Sequence, residues 1–263
     1  MRPLVDWPAE ARRALVGVFT DIDDTLTTEG AITADALQSL YDLKAAGLRV
    51  VAITGRPVGW SEPFAAAWPV DAIVAENGAV ALLPSTDRRL EKRYQQDVAT
   101  RDVNSARMQH VLARIEREIA GAHRATDSSG RECDIAIDHS EFTHLSDAQI
   151  GAVVTLMRSE GMHASVSSIH INGWYGQHNK LEGARWIARE LWQRELDVEM
   201  SCWAYVGDST NDQLMFEAFD NSVGVANIAR FVPHLAHLPR YVTLGERGAG
   251  FTEVARAVVH ARQ

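Results

Sequence analysis

Val18-Phe19-Thr20-Asp21-Ile22-Asp23-Asp24-Thr25-Leu26 is the stretch whose reading decides the fold. The apolar run from Leu15 to Phe19 predicts a buried strand, and it gives way to three acids within four residues. Desolvated like charges repel and raise one another's pKa, so a buried strand does not ordinarily end this way. A divalent cation resolves the conflict, because hard oxygen ligands at a strand end suit Mg²⁺. Asp21 and Asp23 also point to the same side of an extended backbone. One can therefore attack a substrate while the other handles its proton. The plainer reading of this motif alone is a polar turn whose Asp and Thr side chains cap the next helix.

Three further stretches favour the chemical reading. Val50-Val51-Ala52-Ile53-Thr54-Gly55-Arg56 is a second apolar strand, ending in a hydroxyl and a glycine. Ala204-Tyr205-Val206-Gly207-Asp208-Ser209-Thr210-Asn211-Asp212 is a third, ending in two acids four apart with an Asn between. Lys180 opens a helical stretch between them. In this order the four pieces resemble the four motifs of the haloacid dehalogenase superfamily. A doubly wound, Rossmann-like parallel sheet follows from that resemblance, and so does Mg²⁺-dependent phosphoryl chemistry.

The bulk numbers are compatible. A chain of 263 residues with 46% hydrophobic and 23% charged residues is an ordinary globular composition with room for one or two domains. A net charge of −9 disfavours nucleic acid as a partner. Arg88, Arg89, Lys92 and Arg93 form a small basic cluster, interrupted by Glu91, that reads as a solvated strand edge. Two distant cysteines, Cys133 and Cys202, are too few for a disulfide framework or a zinc site. No run approaches the roughly 18 apolar residues of a membrane span, and the apolar run after Arg12 and Arg13 lacks a signal-peptide cleavage site. The default expectation is a cytoplasmic protein without a membrane partner.

Along the chain, strand and helix alternate up to residue 83 and again from residue 179 to the end, which predicts an α/β core built from residues 1–83 and 179–263. Residues 84–178 have a different texture. Met108, Val111, Leu112, Ile115 and Ile119 trace one amphipathic helix, and Ile150, Val153, Val154 and Met157 another. Cys133, Ile135 and Ile137 alternate with Asp134, Ala136 and Asp138, as on a strand exposed on one face, and Val166 to Asn172 reads as a further strand. This block is expected to be an inserted α+β cap, a small sheet covered on one side by two helices. Asn-Gly within Glu76-Asn77-Gly78 marks a turn between two apolar runs.

Each motif residue carries an expected role. Asp21 is the candidate nucleophile and would form an aspartyl-phosphate. Asp23 would protonate the leaving alkoxide and then deprotonate the attacking water. Thr54 offers its hydroxyl, and Gly55 its backbone N–H, to a phosphoryl oxygen, and Lys180 supplies positive charge to the transition state. The metal set is Asp21, the Asp23 carbonyl and Asp208, with Asp212 serving either as a ligand or through a bound water. Arg56 and Asn211 are candidates for phosphate or substrate contact, with a structural ion pair and loop bracing as their respective alternatives.

In the family, the second acid marks phosphatases and phosphomutases rather than carbon–halogen or carbon–phosphorus cleavage. Asp24 stands where relatives often carry glycine. The insert lies between Thr54 and Lys180, the second of the family's two cap positions. With Glu76-Asn77-Gly78-Ala79 before it, the chain is similar to the Cof-type subfamily, which includes sucrose-phosphate and mannosyl-phosphoglycerate phosphatases. Asn77 is a substrate-contact candidate on that basis. The run Ile169-His170-Ile171-Asn172-Gly173-Trp174-Tyr175, just before Lys180, is rich in groups that bind sugars, so His170 and Asn172 are candidates for reading the leaving group. The expected substrate is a small phosphorylated metabolite of sugar type. A phosphomutase and a catalytically silent binding module are the alternatives.

Overall fold

The computed structural model describes residues 1–84 and 90–263. In chain order, the core opens with strand β1 (Gly17–Thr20), helix α1 (Ala34–Ala45), β2 (Arg49–Ile53), α2 (Val58–Ala67), β3 (Ala72–Ala75), β4 (Val80–Pro84) and β5 (Leu90–Tyr94). The middle of the chain forms α3 (Val98–Glu118), β6 (Ile135–Asp138), α4 (Asp147–Ser159), β7 (His163–Val166) and β8 (His170–Trp174). The last part forms α5 (Lys180–Trp192), β9 (Trp203–Gly207), β10 (Asn221–Gly224), β11 (Tyr241–Val242) and α6 (Arg247–His260).

A nine-stranded sheet runs in the order Arg2–Pro3, β11, β10, β9, β1, β2, β3, β4, β5. It is parallel as far as β3 and antiparallel at the β3–β4 and β4–β5 pairs. Its central strands are continuous apolar runs because both faces are covered. Val18, Val50 and Ala52 pack with Leu40 and Leu43 of α1 and with Phe251 and Val254 of α6. Phe19, Val51 and Ile53 face the other way, onto Ala184 and Ile187 of α5 and onto Phe216. Asp21, Thr54 and Asp208 follow the carboxyl ends of β1, β2 and β9, which are neighbours, so the motifs converge on one edge.

A separate four-stranded sheet has the order β7, β8, β6, His123–Arg124. Ile135, Ile137 and Ile171 on one of its faces pack against Met108, Ile115 and Val153 of the two helices. The expected boundary at residue 84 shifts, because β5 pairs with β4 in the large sheet and extends the core to Tyr94. Lys92 and Arg93 therefore lie on an edge strand of the large sheet, as the basic cluster predicts; Arg88 and Arg89 lie outside the described residues.

Two local expectations are corrected. Val166 to Asn172 is not one strand: β7 and β8 form an antiparallel hairpin. The Ser167 hydroxyl, which accepts from the His170 amide and donates to its carbonyl, pins the turn between them. The polar face of β6 is also not exposed. Asp134 and Asp138 are buried, Asp134 because that face is turned onto the core, where Arg131 and Asn172 link it to Gly55. The free thiol of Cys133 is buried.

Candidate active site

Lys180 owes its position to glycine. The Asn179 side chain caps α5 by accepting from the Glu182 amide. The turn Glu76–Gly78 presses on that helix start, where a Cβ on Gly78 (φ +107°) would meet the Asn179 carbonyl oxygen at 2.3 Å and one on Gly183 would meet Gly78 Cα at 2.6 Å. Seated this way, Lys180 Nζ donates to Asp21 Oδ1 at 2.6 Å and to Asp212 Oδ1 at 2.7 Å. Burial alone would lower its pKa, but Asp21 and Asp212 outweigh burial and hold the ammonium charged.

The carboxylates of Asp21, Asp208 and Asp212 approach one another within 4.8 Å, all buried. Burial pushes Asp21 up to about 7, with Lys180 pulling it down and Asp212 and Asp23 adding to the rise. Asp208 is driven well above the carboxylate range by burial and then by Asp21 and Asp212. Asn227 donates to its Oδ2 at 2.9 Å, but its Oδ1 is buried without a hydrogen-bond partner among the described residues. An orphaned carboxyl oxygen, on a group whose ionised form is disfavoured here without a partner, beside a second carboxyl of raised pKa is the environment a divalent cation satisfies, and the residues fit such an ion.

Asp212 differs from the other two. Its Oδ1 accepts from Lys180 and from the Tyr205 hydroxyl, and its Oδ2 accepts from the amides of Asp208 and Ser209. With every lone-pair direction occupied, it braces the Asp208 loop and Lys180.

Thr54 is fully buried, and its oxygen accepts from the Arg56 amide at 3.0 Å, which leaves the hydroxyl proton free to donate. Arg56 Nε lies 3.0 and 3.1 Å from the two carboxylate oxygens of Asp23. Its Nη atoms reach Glu141 at 2.8 Å and Asp127 at 3.3 Å, both from the middle of the chain. Burial would raise Glu141, but the His170 and Arg56 donors hold it at about 2. Asp23 is raised by burial, and Arg56 opposes that rise.

His170 and Asn172 sit at the site but are occupied. His170 Nε2 is 3.1 Å from Glu141, and Asn172 Nδ2 donates to Asp134 at 2.9 Å and to the Gly55 carbonyl at 3.3 Å. Together with Asp21, Asp23, Arg56 and Asn211 they enclose a void of about 10 Å³, space for about one water. Asn211 accepts from the Ser209 hydroxyl at 2.8 Å. A wider cleft of about 1040 Å³ opens beside Lys180 and Asn77. Asn77 Nδ2 is buried on its wall with no acceptor among the described residues.

Sequence reading missed the ties that hold the middle segment down. Arg131 bonds Asp127, Asp134 and the Gly55 carbonyl. The buried Glu76 carboxylate collects the amides of Glu132, Cys133, Asp134 and Val58. The alternation at 133–138 signalled a polar face; nothing in spacing pointed to Arg131 and Asn172 as the partners of Asp134, or to Glu76 as the acceptor of the 132–134 amides.

With this geometry in hand, residues 18–126 match the family of haloacid dehalogenase-like hydrolases. A Streptococcus pyogenes protein that bears a provisional phosphatase name is 22% identical over 262 residues, covering 91% of this chain and 96% of its own. Among solved structures, the chain is similar to a Thermoplasma acidophilum protein (TM-score 0.71, 16% identity, covering 93% of this chain and 98% of that one). It is also similar to the Synechocystis sucrose-phosphatase, solved with sucrose and phosphate (TM-score 0.67, 15% identity, covering 94% and 98%). At these identities the solved structures establish the fold: the parallel core sheet with its second, smaller sheet.

Proposed function

We propose that this chain is a phosphatase acting on a small phosphorylated metabolite of sugar type. The observation that carries the reading is the buried trio Asp21, Lys180 and Asp208: a carboxylate held by an ammonium at 2.6 Å beside an oxygen with no partner among the described residues. A carboxylate oxygen of Asp21 attacks phosphorus, the ester P–O bond breaks, and Asp23 gives its proton to the departing alkoxide. Water then attacks the aspartyl-phosphate, Asp23 takes back a proton, and inorganic phosphate leaves with Asp21 regenerated. Burial raises the pKa of Asp23, with Arg56 opposing, the direction that favours its role as the proton donor.

Lys180 and the Thr54 hydroxyl steady the equatorial phosphoryl oxygens, and the Gly55 amide has room to approach because no Cβ intervenes. Asp21, Asp208 and the Asp23 carbonyl are the groups that would hold Mg²⁺, whose charge neutralises the phosphoryl group and the acid cluster. Residues 95–178 act as a cap that excludes water when closed and moves to admit the ester, since the void over Asp21 is smaller than a phosphoryl group. His170 and Asn172 then act by holding the closed cap to Gly55 and Arg56.

Release of inorganic phosphate from a panel of sugar phosphates with Mg²⁺ tests the reading. A product that keeps its phosphate would identify a mutase instead, and the absence of turnover on every ester would leave a binding module.

A further inference from the structure

The wide cleft beside Lys180 has a sign of its own. The chain carries a net charge of −9, yet the cleft wall presents Arg158, His144 and His163 from the cap and Arg230 and His234 from the core. Among the described lining residues Asp147 is the one carboxylate. Arg230 is already matched by Asp24 at 2.8 Å. Arg158, in the last turn of α4, has no ion-pair partner among the described residues.

Strand β7 connects this cationic end to the reaction centre. Ser167, just past the strand, lines the void with Asp21 and Asp23, and His163 begins the strand four residues earlier. At roughly 3.3 Å per residue the two ends are about 13 Å apart. The pairs His163–Trp174 and Ser165–Asn172 place these side chains on one face of the sheet, the face turned to the core. Trp174 stacks on His163 with ring centroids 6.0 Å apart, and it also lines the cleft. A ligand with its phosphoryl group on Asp21 and its body along β7 therefore meets the Ser165 and Asn172 pair along the way, and at its far end His163, held in place by the buried Trp174, and an unmatched guanidinium. A guanidinium suits carboxylate or phosphate through paired hydrogen bonds.

We infer that the substrate carries a second anionic group, a carboxylate or a second phosphate, which Arg158 and His163 receive at the far end of the cleft. The inference rests on the phosphatase reading and narrows it from sugar phosphates at large to those with an acidic remote end.

The test compares a hexose bisphosphate, a hexuronate phosphate and a hexose monophosphate, in kcat/KM for the wild type and in binding to the Asp21→Asn protein with Mg²⁺ by calorimetry. One of the two doubly anionic compounds is expected to exceed the monophosphate by about tenfold or more in both measurements, as one good charge-assisted contact allows. Arg158→Gln should collapse that ratio toward one, and Arg158→Lys should restore part of it. Equal handling of all three compounds, or an equal loss on all three in Arg158→Gln, overturns the subsite while leaving phosphatase activity standing. Arg158-dependent binding of the doubly anionic compounds without hydrolysis of any ester has the opposite meaning: the subsite stands and the reaction reading fails.

Discussion

Arg56 grips both carboxylate oxygens of Asp23 through Nε, at 3.0 and 3.1 Å, while its Nη2 holds Glu141 of the cap at 2.8 Å. The proposed acid is thus tied to Glu141, in the proposed cap, through one guanidinium. Removing that cation takes away the group that opposes the burial-driven rise of the Asp23 pKa. Arg56→Gln should move the alkaline limb of the kcat/KM profile to higher pH and lower kcat by roughly 10–100-fold, the range of a displaced acid–base group. Glu141→Gln keeps the Arg56–Asp23 contact, so its profile should keep its shape while KM changes. A pH–rate profile unmoved by Arg56→Gln would reduce Arg56 to a structural ion pair.

Asp21→Asn removes the nucleophile and keeps its shape. Turnover should fall by roughly four orders of magnitude or more, the scale seen when a covalent nucleophile is lost, while the circular dichroism spectrum stays that of the wild type. Phosphate release near the wild-type rate from the purified variant would overturn the covalent mechanism.

The acid cluster predicts a pH-dependent metal response. Asp21 rises from an ordinary 3.8 to about 7 on folding, through burial first. A carboxyl whose folded pKa is raised favours the fold while protonated, and that contribution is lost as pH climbs from about 4 through 7. Mg²⁺ requires the ionised forms and cancels their repulsion. The gain in Tm on adding Mg²⁺ should therefore be larger at pH 8 than at pH 6, and Mg²⁺ binding at pH 6.5 should release protons, seen by calorimetry in two buffers of different ionisation enthalpy. A Tm gain independent of pH would place the ion elsewhere.

The core was legible because buried parallel strands are written as unbroken apolar runs, and Asp21, Thr54 and Asp208 interrupt them at the point where the sheet ends. Lys180 was legible only through the order of motifs, since a lone lysine has no periodicity. That Asp212 receives four donors, from Lys180, Tyr205, Asp208 and Ser209, is something no spacing encodes. Alternation along β6 told which side is polar but not that the core covers Asp134 there. The hairpin at Ser167 had a local signal, a serine able to bond its neighbours' backbone, but the polar–apolar alternation ran straight through it.

Glu76 supplies the sharpest stability test, because its partners are backbone amides that no side-chain change can re-aim. Its Oε1 accepts from Val58 and Glu132, and its Oε2 from Glu132, Cys133 and Asp134. In Glu76→Gln one of those positions becomes an NH₂ group, and in either orientation it faces amide donors that then lack an acceptor. Each buried donor left unpaired costs about 1–3 kcal/mol. The variant should accordingly lose about 2–4 kcal/mol in urea unfolding, with the loss concentrated where residues 132–134 join the core. Glu91→Gln, on the exposed edge strand beside Arg93, serves as the control and should leave the midpoint where it is. Hydrogen exchange at the amides of 132–134 distinguishes the outcomes. Faster exchange there in Glu76→Gln, ahead of global unfolding, marks the carboxylate as the anchor of the cap. Unchanged protection together with an unchanged midpoint would mean that Arg131 and Asn172 hold the segment without it.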